Sequence, residues 1–293
     1  MERHLPLVTV VVVNLNNLNL LRNCLRSLYA QDYGAIEIVV VDNGSEEDVE
    51  SMLAKEFPEV RMVKLNKNHG FAGGNNRGIE TAQGKYVALI NNDAVAAPKW
   101  ISSLIATAES DTNIGAAASI IIDGNQPEIL DSCGVGISLD GMSRQAMRGM
   151  PVPDLIQPKE VLLFSGCACL LKMESLEEVG LFDEDFFAYC EDTDLGLRLR
   201  RAGWQIVVAP GAYVTHFYSM TGGKFSLQKI YWVERNHFWV AIKHFPWFLI
   251  AILPLITAWR YFVQGYSVLR GIGELNKFAE RNNLSTIAST YLK

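Results

Sequence analysis

Three segments place acids where chemistry can use them: Val39-Val40-Val41-Asp42-Asn43-Gly44-Ser45, Leu89-Ile90-Asn91-Asn92-Asp93 and Glu191-Asp192-Thr193-Asp194-Leu195-Gly196-Leu197-Arg198. In the first two, an apolar run ends in a carboxylate. A buried parallel strand reads this way, and it delivers its acid to the carboxyl edge of a sheet, where α/β proteins bind ligands. The third sets three acids within four residues, just ahead of a basic, helix-like stretch. One carboxylate for a nucleotide, one for a metal and one to accept a proton would together make a group-transfer site. Asp42, at a strand end, can accept the N3–H of a uracil or thymine ring, although Asp-Asn-Gly-Ser is also good turn chemistry.

The elements that must position these acids follow from the pattern. Val8 to Val13 is β-branched, Leu18 to Tyr29 has helical apolar spacing, and Ile36 to Val41 is a second strand. Val49 to Phe57 reads as a helix stopped by Pro58, Val60 to Leu65 as a short strand, Arg77 to Thr81 as helical and Tyr86 to Ile90 as a strand. This alternation predicts βαβ units on a mostly parallel sheet. Residues 112–165, rich in Gly, Pro and Asp, read as a β-rich insertion, and Phe186-Phe187-Ala188-Tyr189 as a strand ahead of the acidic cluster. Helix and strand resume over Leu176 to Val179, Asp194 to Arg201 and Ile206 to Val208.

The 293 residues are 49% hydrophobic and 20% charged, a globular composition that excludes disorder. The length suits one domain plus an appendage, and charge divides the chain. Residues 1–224 hold 18 Lys and Arg against 29 Asp and Glu, a net −11; residues 225–293 hold 8 against 3, a net +5. The acidic body argues against nucleic acid as a partner. The basic, aromatic tail argues for an anionic membrane surface. Five cysteines, at 24, 133, 167, 169 and 190, form no C-x-x-C and read as buried reduced thiols, which favours the cytosol. The apolar run from Leu5 to Val13 ends in asparagines without a small-residue cleavage site, so it reads as a strand and not a signal peptide.

Two glycine patterns fail as phosphate loops. Gly78 to Tyr86 has five residues between its glycines where a P-loop has four, and Tyr86 stands where a Ser or Thr would hold magnesium. His69-Gly70-Phe71-Ala72-Gly73-Gly74 is not G-x-G-x-x-G.

Read in order, Asn16, Val41-Asp42-Asn43-Gly44-Ser45, Asn68-x-Gly70-Phe71-Ala72-Gly73-Gly74-Asn75-Asn76, Leu89-Ile90-Asn91-Asn92-Asp93, Gly180-x-Phe182-Asp183 and Glu191-Asp192-x-Asp194 resemble the motifs of family-2 glycosyltransferases. The most similar subgroup includes bacterial rhamnosyltransferases that build cell-surface polysaccharide. The resemblance runs from about Val8 to His216. It implies a GT-A nucleotide-sugar-binding domain over residues 1–224 and an inverting reaction that uses Mg2+ or Mn2+.

Residue by residue, the resemblance makes Asp93 the last acid of the family's Asp-x-Asp metal motif, with Asn91 at the position of the first acid. Asn91 or Asn92 would reach the metal through water or touch the ribose. It makes His216 a further metal ligand and Asp192 the general base, with Glu191 and Asp194 expected to raise the Asp192 pKa by like-charge repulsion. Ser165-Gly166 matches the loop beneath donor sugar and acceptor. Asn16, Asp42, Asn75 and Asn92 fall to the nucleotide, and Lys67, Asn75 and Arg77 are placed to meet the diphosphate, where solvated loop polarity is an equal account.

In the tail, Phe245 to Trp259 is apolar for 15 residues and Arg260 ends it. A spanning helix needs about 20 residues. With Trp247, Trp259 and Tyr261 as interfacial anchors, residues 225–293 read as membrane-associating helices lying in the plane, with packing on protein as the alternative. The expected function is transfer of a sugar, L-rhamnose from dTDP-rhamnose, to a glycan or lipid-linked acceptor at the cytoplasmic membrane face. The rivals are a UDP-sugar transferase (galactofuranosyl or glucosyl) and a non-catalytic nucleotide-sugar-binding scaffold, the latter suggested by Asn91 in place of an acid.

Overall fold

Runs such as Val8–Asn14 and Ile36–Asp42 have no polar face to show to water, so they pair as inner strands covered on both sides. The computed structural model of the chain describes residues 5–152, 157–217 and 227–270. In chain order the elements of its first part are β1 (Val8–Asn14), α1 (Leu18–Tyr29), β2 (Ile36–Asp42), α2 (Val49–Glu56), β3 (Arg61–Lys64), α3 (Gly70–Ile79), β4 (Tyr86–Ile90), β5 (Ala94–Ala96) and α4 (Trp100–Ala108). Then come β6 (Ile114–Asp123), β7 (Gln126–Cys133), β8 (Val135–Ile137), β9 (Ser143–Gln145), β10 (Lys159–Glu160), β11 (Ala168–Lys172), α5 (Met173–Val179), α6 (Glu191–Arg201) and β12 (Gln205–His216).

The main sheet runs β10-β12-β6-β11-β4-β1-β2-β3, with β5 added to β12 and β7 to β6. Strands β1 to β4, β6 and β12 share one direction, and β11 runs against them between β4 and β6. Alternate residues of each inner strand serve two apolar layers. Val10, Val12, Ala88 and Ile90 pack with Leu21, Leu25, Trp100 and Leu104 from α1 and α4. Val11, Val39, Val87 and Leu89 pack with Ile79, Leu195 and Leu199 from α3 and α6.

Three sequence expectations change here. The glycine-rich stretch is part of α3, which starts at Gly70, well before Arg77. Its glycines exist for close approach: a Cβ on Gly78 would stand 2.3 Å from Val11 Cγ1, and one on Gly74 2.7 Å from Val13 Cγ1. Residues 112–165 are not simply an insertion, because β6 lies inside the main sheet between β12 and β11. Phe186 to Tyr189 is no strand. A 3-10 turn over Glu184–Phe186 leads into a γ-turn closed by Ala188 N–H on Phe186 O at 2.7 Å, and Phe187, Tyr189 and Cys190 all have positive φ. Non-glycine residues held there store strain of about 1–3 kcal/mol each.

By compactness the chain divides into Met1–Ile137 with Ser143–Thr221, and Ser138–Met142 with Gly222–Lys293. The second unit holds α7 (Leu227–His244) and α8 (Trp247–Leu269). Helix α8 continues through Pro254 and past Arg260. Arg260 is accommodated because Glu234 takes its Nη1 and Nη2 at 3.0 and 2.7 Å, and Asp140 Oδ2 lies 2.7 Å from its Nε. The length argument against a span therefore falls: among the described residues, Trp247–Ser267 is long and apolar enough to cross a membrane by length and composition.

Candidate active site

The carboxyl edge of the sheet gathers most of the residues singled out in the sequence. Asn14 and Asp42 are register partners at the ends of β1 and β2. Asn91, Asn92 and Asp93 follow β4, and Ser165-Gly166-Cys167 enter β11 antiparallel beside them, with Asn91 N–H on Cys167 O at 2.9 Å. His216 ends β12, opposite Ala94 of β5.

Asp42 is buried, and Ser45 N–H donates to its Oδ1 at 3.0 Å, an Asx turn that leaves Oδ2 outside the turn's hydrogen bond. Asn14, fully buried, accepts from Asn92 Nδ2 at 2.8 Å and donates to Ser45 Oγ at 3.3 Å. Asn16 has left-handed backbone at φ 59°, and its Oδ1 receives Glu46 N–H at 2.9 Å. Asn43, which the sequence reading passed over, ties the loop to α3: it donates to Gly70 O at 2.9 Å and receives His69 N–H at 2.9 Å. Asn75 stands apart. It is buried and its amide donates to Phe71 O one turn back, at 2.9 Å. Arg77 pairs with Glu80 at 3.1 Å and Glu184 at 3.0 Å.

Asp93 and His216 meet. Asp93 Oδ1 lies 3.4 Å from His216 Nε2, and both residues are buried. Asp93 Oδ1 has no hydrogen-bond partner among the described residues. The other ring nitrogen, Nδ1, lies 3.0 Å from Asp131 Oδ2. Burial disfavours the His216 imidazolium, but Cys167, Asp131 and Asp93 favour it and win, so its pKa is raised. A hard divalent cation fits the Asp93 and Nε2 pair: adjacent ligands about 2.1 Å from an octahedral ion stand about 3.0 Å apart. No group of three or more His, Cys, Asp or Glu side chains converges as a cage among the described residues. Magnesium and manganese suit such a half-built site, because substrate phosphates and water supply the remaining ligands.

Asp192 opens α6. Its Oδ2 accepts Gly166 N–H at 2.9 Å, and its Oδ1 accepts Thr193 N–H at 2.7 Å. The approach is tight: a Cβ on Gly166 would stand 3.1 Å from Phe71 Cζ and 3.4 Å from Asp192 Cβ. Burial pushes the Asp192 pKa up, and the hydrogen bonds from Gly166 and Thr193 restrain it. The expected repulsion from its neighbours is not the cause. Asp194 is neutralised by Arg198 Nε at 2.9 Å, and Arg198 goes on to hold the carbonyls of Val179, Gly180 and Leu181. Glu191 bears the strain instead. It is buried, its Oε2 has no hydrogen-bond partner among the described residues, and burial followed by the Asp192 charge raises its pKa well above the usual carboxylate range. Ser165 is buried, with its Oγ facing Cys167 N–H at 3.4 Å. The tripeptide Ser165-Gly166-Cys167 therefore links the two halves of the site, holding Asp192 through Gly166 and touching Asn91 and His216 through Cys167.

The family model described as Glycosyl transferase family 2 matches residues 9–180. The chain belongs to that family. Among curated proteins, this family-2 chain is 26% identical over 261 residues to the O-antigen biosynthesis protein RfbC of Myxococcus xanthus, covering 84% of the chain and 20% of that protein. It is 28% identical over 227 residues to the N-acetylglucosaminyl-diphospho-decaprenol L-rhamnosyltransferase of Mycobacterium tuberculosis, covering 70% of the chain and 74% of that enzyme. The chain thus spans only a fifth of the first relative and about three-quarters of the second. Among solved structures, GalNAc-T7 with UDP, GalNAc and Mn2+ superposes with a TM-score of 0.68 at 18% identity, over 82% of this chain and 49% of that one. The mannosyltransferase PcManGT of Pyrobaculum calidifontis with GDP-Man and Mn2+ gives 0.65 at 20%, over 99% and 82%. These likenesses establish the GT-A fold.

Proposed function

We propose that the chain is an inverting glycosyltransferase that moves a sugar from a nucleoside diphosphate donor to a glycan or lipid-linked acceptor. The observation that carries this reading is Asp93 Oδ1, without a hydrogen-bond partner among the described residues, facing His216 Nε2 at 3.4 Å on the sheet edge whose Gly166 N–H also holds the Asp192 carboxylate. Asp93 and His216, with Asn91 through water, would hold Mg2+ or Mn2+. The cation would supply positive charge against the departing diphosphate. Asp42 would accept N3–H of the pyrimidine, supported by the Asn14, Asn16 and Asn92 network around it, and Ser165, Gly166 and Glu191 would bound the donor sugar and acceptor.

In the reaction, Asp192 takes the proton of the acceptor hydroxyl as that oxygen bonds to C1 of the sugar. The C1–O bond to the diphosphate breaks on the opposite face, so the configuration at C1 inverts. The two backbone N–H groups fix the carboxylate while leaving lone pairs on both oxygens for this role.

The donor proposed is dTDP-L-rhamnose. The motif resemblance and the mycobacterial rhamnosyltransferase support it. A UDP-sugar is the second reading, favoured by the UDP held by GalNAc-T7. Burying the thymine methyl is worth about 0.8 kcal/mol, under tenfold, so the sugar pocket must decide. Nucleotide release is to be measured with Mn2+ and, in turn, dTDP-rhamnose, UDP-glucose, UDP-galactofuranose and GDP-mannose. Fastest release from dTDP-rhamnose supports the donor assignment, and faster release from a UDP-sugar overturns it.

We also place the protein at the cytoplasmic membrane face as a peripheral protein. Phe248, Ile252, Leu255, Trp259, Phe262 and Tyr266 are all exposed and recur every three or four residues along α8, which makes one apolar stripe. Arg260 points instead to Glu234 and Asp140, polar company that favours a helix lying in the interface over one crossing it.

A further inference from the structure

We propose that Asp131 is a positioning residue that fixes the His216 ring with its proton on Nδ1, keeping the Nε2 lone pair and Asp93 Oδ1 open to a divalent cation. The inference rests on the metal role given above to Asp93 and His216. Asp131 lies on β7, 85 residues before His216, in a segment with no motif to mark it. It is buried, its Oδ2 is 3.0 Å from Nδ1, and its Oδ1 is 3.4 Å from Arg148 Nε.

The competing arrangement is built into the same cluster. To ligate a cation the ring must be the neutral imidazole, which carries one proton, and Asp93 Oδ1 stands 3.4 Å from Nε2. Were the proton on Nε2, the ring would donate to Asp93, and an internal hydrogen bond would consume both groups meant for the ion. An acceptor on Nδ1 selects the opposite tautomer, the way outer carboxylates orient histidine ligands in other metal sites. Cys167, a further neighbour of the ring, offers only sulfur, a weaker acceptor than a carboxylate oxygen. Among the described residues, Asp131 is therefore the group placed to make the choice, and Arg148 lies against its second oxygen.

The test uses the full chain with Mn2+ titrated in the presence of dTDP, free Mn2+ being read by electron paramagnetic resonance. Asp131→Ala is expected to weaken Mn2+ binding by about 10–100-fold, while Asp131→Asn, whose amide oxygen still accepts from Nδ1–H, stays within about threefold of wild type. With Mg2+ and dTDP, nitrogen-15 spectra of histidine-labelled protein should show His216 as the Nδ1–H tautomer in wild type and Asp131→Asn, and as Nε2–H in Asp131→Ala. Unchanged Mn2+ affinity in Asp131→Ala, alongside a weakened Asp93→Ala control, overturns the proposal and leaves the metal reading standing. Unchanged affinity in Asp93→Ala as well refutes the metal reading itself. If Asp131→Ala does not fold, the wild-type tautomer decides, and Nε2–H overturns the proposal.

Discussion

Asp192→Asn separates proton transfer from architecture, and the site geometry fixes what each loss should be. The carboxylate receives two backbone N–H groups on two different oxygens, Gly166 at 2.9 Å and Thr193 at 2.7 Å. An amide offers one oxygen, so one of those N–H groups must face an NH2. Leaving a buried donor unpaired costs about 1–3 kcal/mol. The melting temperature should then fall by about 2–4 °C for each kcal/mol lost. Removing a positioned base should lower turnover by about 10²–10⁴-fold, equivalent to about 2.7–5.5 kcal/mol of barrier. Turnover is assayed as transfer to acceptor at saturating donor, beside melting curves and donor binding on the same samples. The base works only when ionised, and burial raises its pKa. Wild-type kcat/KM should therefore decline, as pH falls, through a midpoint above the ordinary aspartate value of about 3.9, and the variant should lack that limb. Near-normal turnover in the variant, or an unchanged acid limb, would refute the role of Asp192.

Glu191→Gln tests the buried acid beside it. The folded pKa is raised, so wild type loses stability as pH rises from about 4.5 toward that pKa, by up to about 1.4 kcal/mol per pH unit. The variant, which does not titrate, should gain on wild type over that range in denaturant melts and show no such gain below it. Gly78→Ala should destabilise by about 1–3 kcal/mol in the same melts, because its Cβ would meet Val11 Cγ1 at 2.3 Å. Trp259→Glu with Phe262→Glu should lower binding to anionic liposomes by well over tenfold, since each buried aromatic is worth about 1.5–3 kcal/mol. Wild-type binding should weaken with salt, and flotation assays read both effects.

What the sequence made legible was the strand-end chemistry. Asp42 and Asp93 follow uninterrupted apolar strands, and the sheet edge is where βαβ topology must put them. The glycine run of α3 carries no helical signal of its own, because glycine is a poor helix former. The close approach to Val11 and Val13 that requires it is a tertiary contact. Asp131 could not be found from the sequence, since only the pairing of β7 with β6, itself beside β12, brings it to His216. Phe186 to Tyr189 looked like a strand because its residues are aromatic and apolar, yet the positive φ angles ahead of α6 are imposed by the packing of that turn on α3, where Ala72 N–H meets Phe187 O at 3.1 Å. The end of the apolar run at Arg260 was sound by composition, but its neutralisation by Glu234 and Asp140 lets α8 continue.

The central claim is that a divalent cation held by Asp93 and His216 drives transfer from a nucleotide sugar. Its most direct test is nucleoside diphosphate release by wild type and Asp93→Ala, each with Mn2+ and then with excess chelator. The account predicts release by wild type that chelator abolishes, and a variant that Mn2+ no longer stimulates. Release that persists in excess chelator, or donor binding without turnover under any condition, would contradict it.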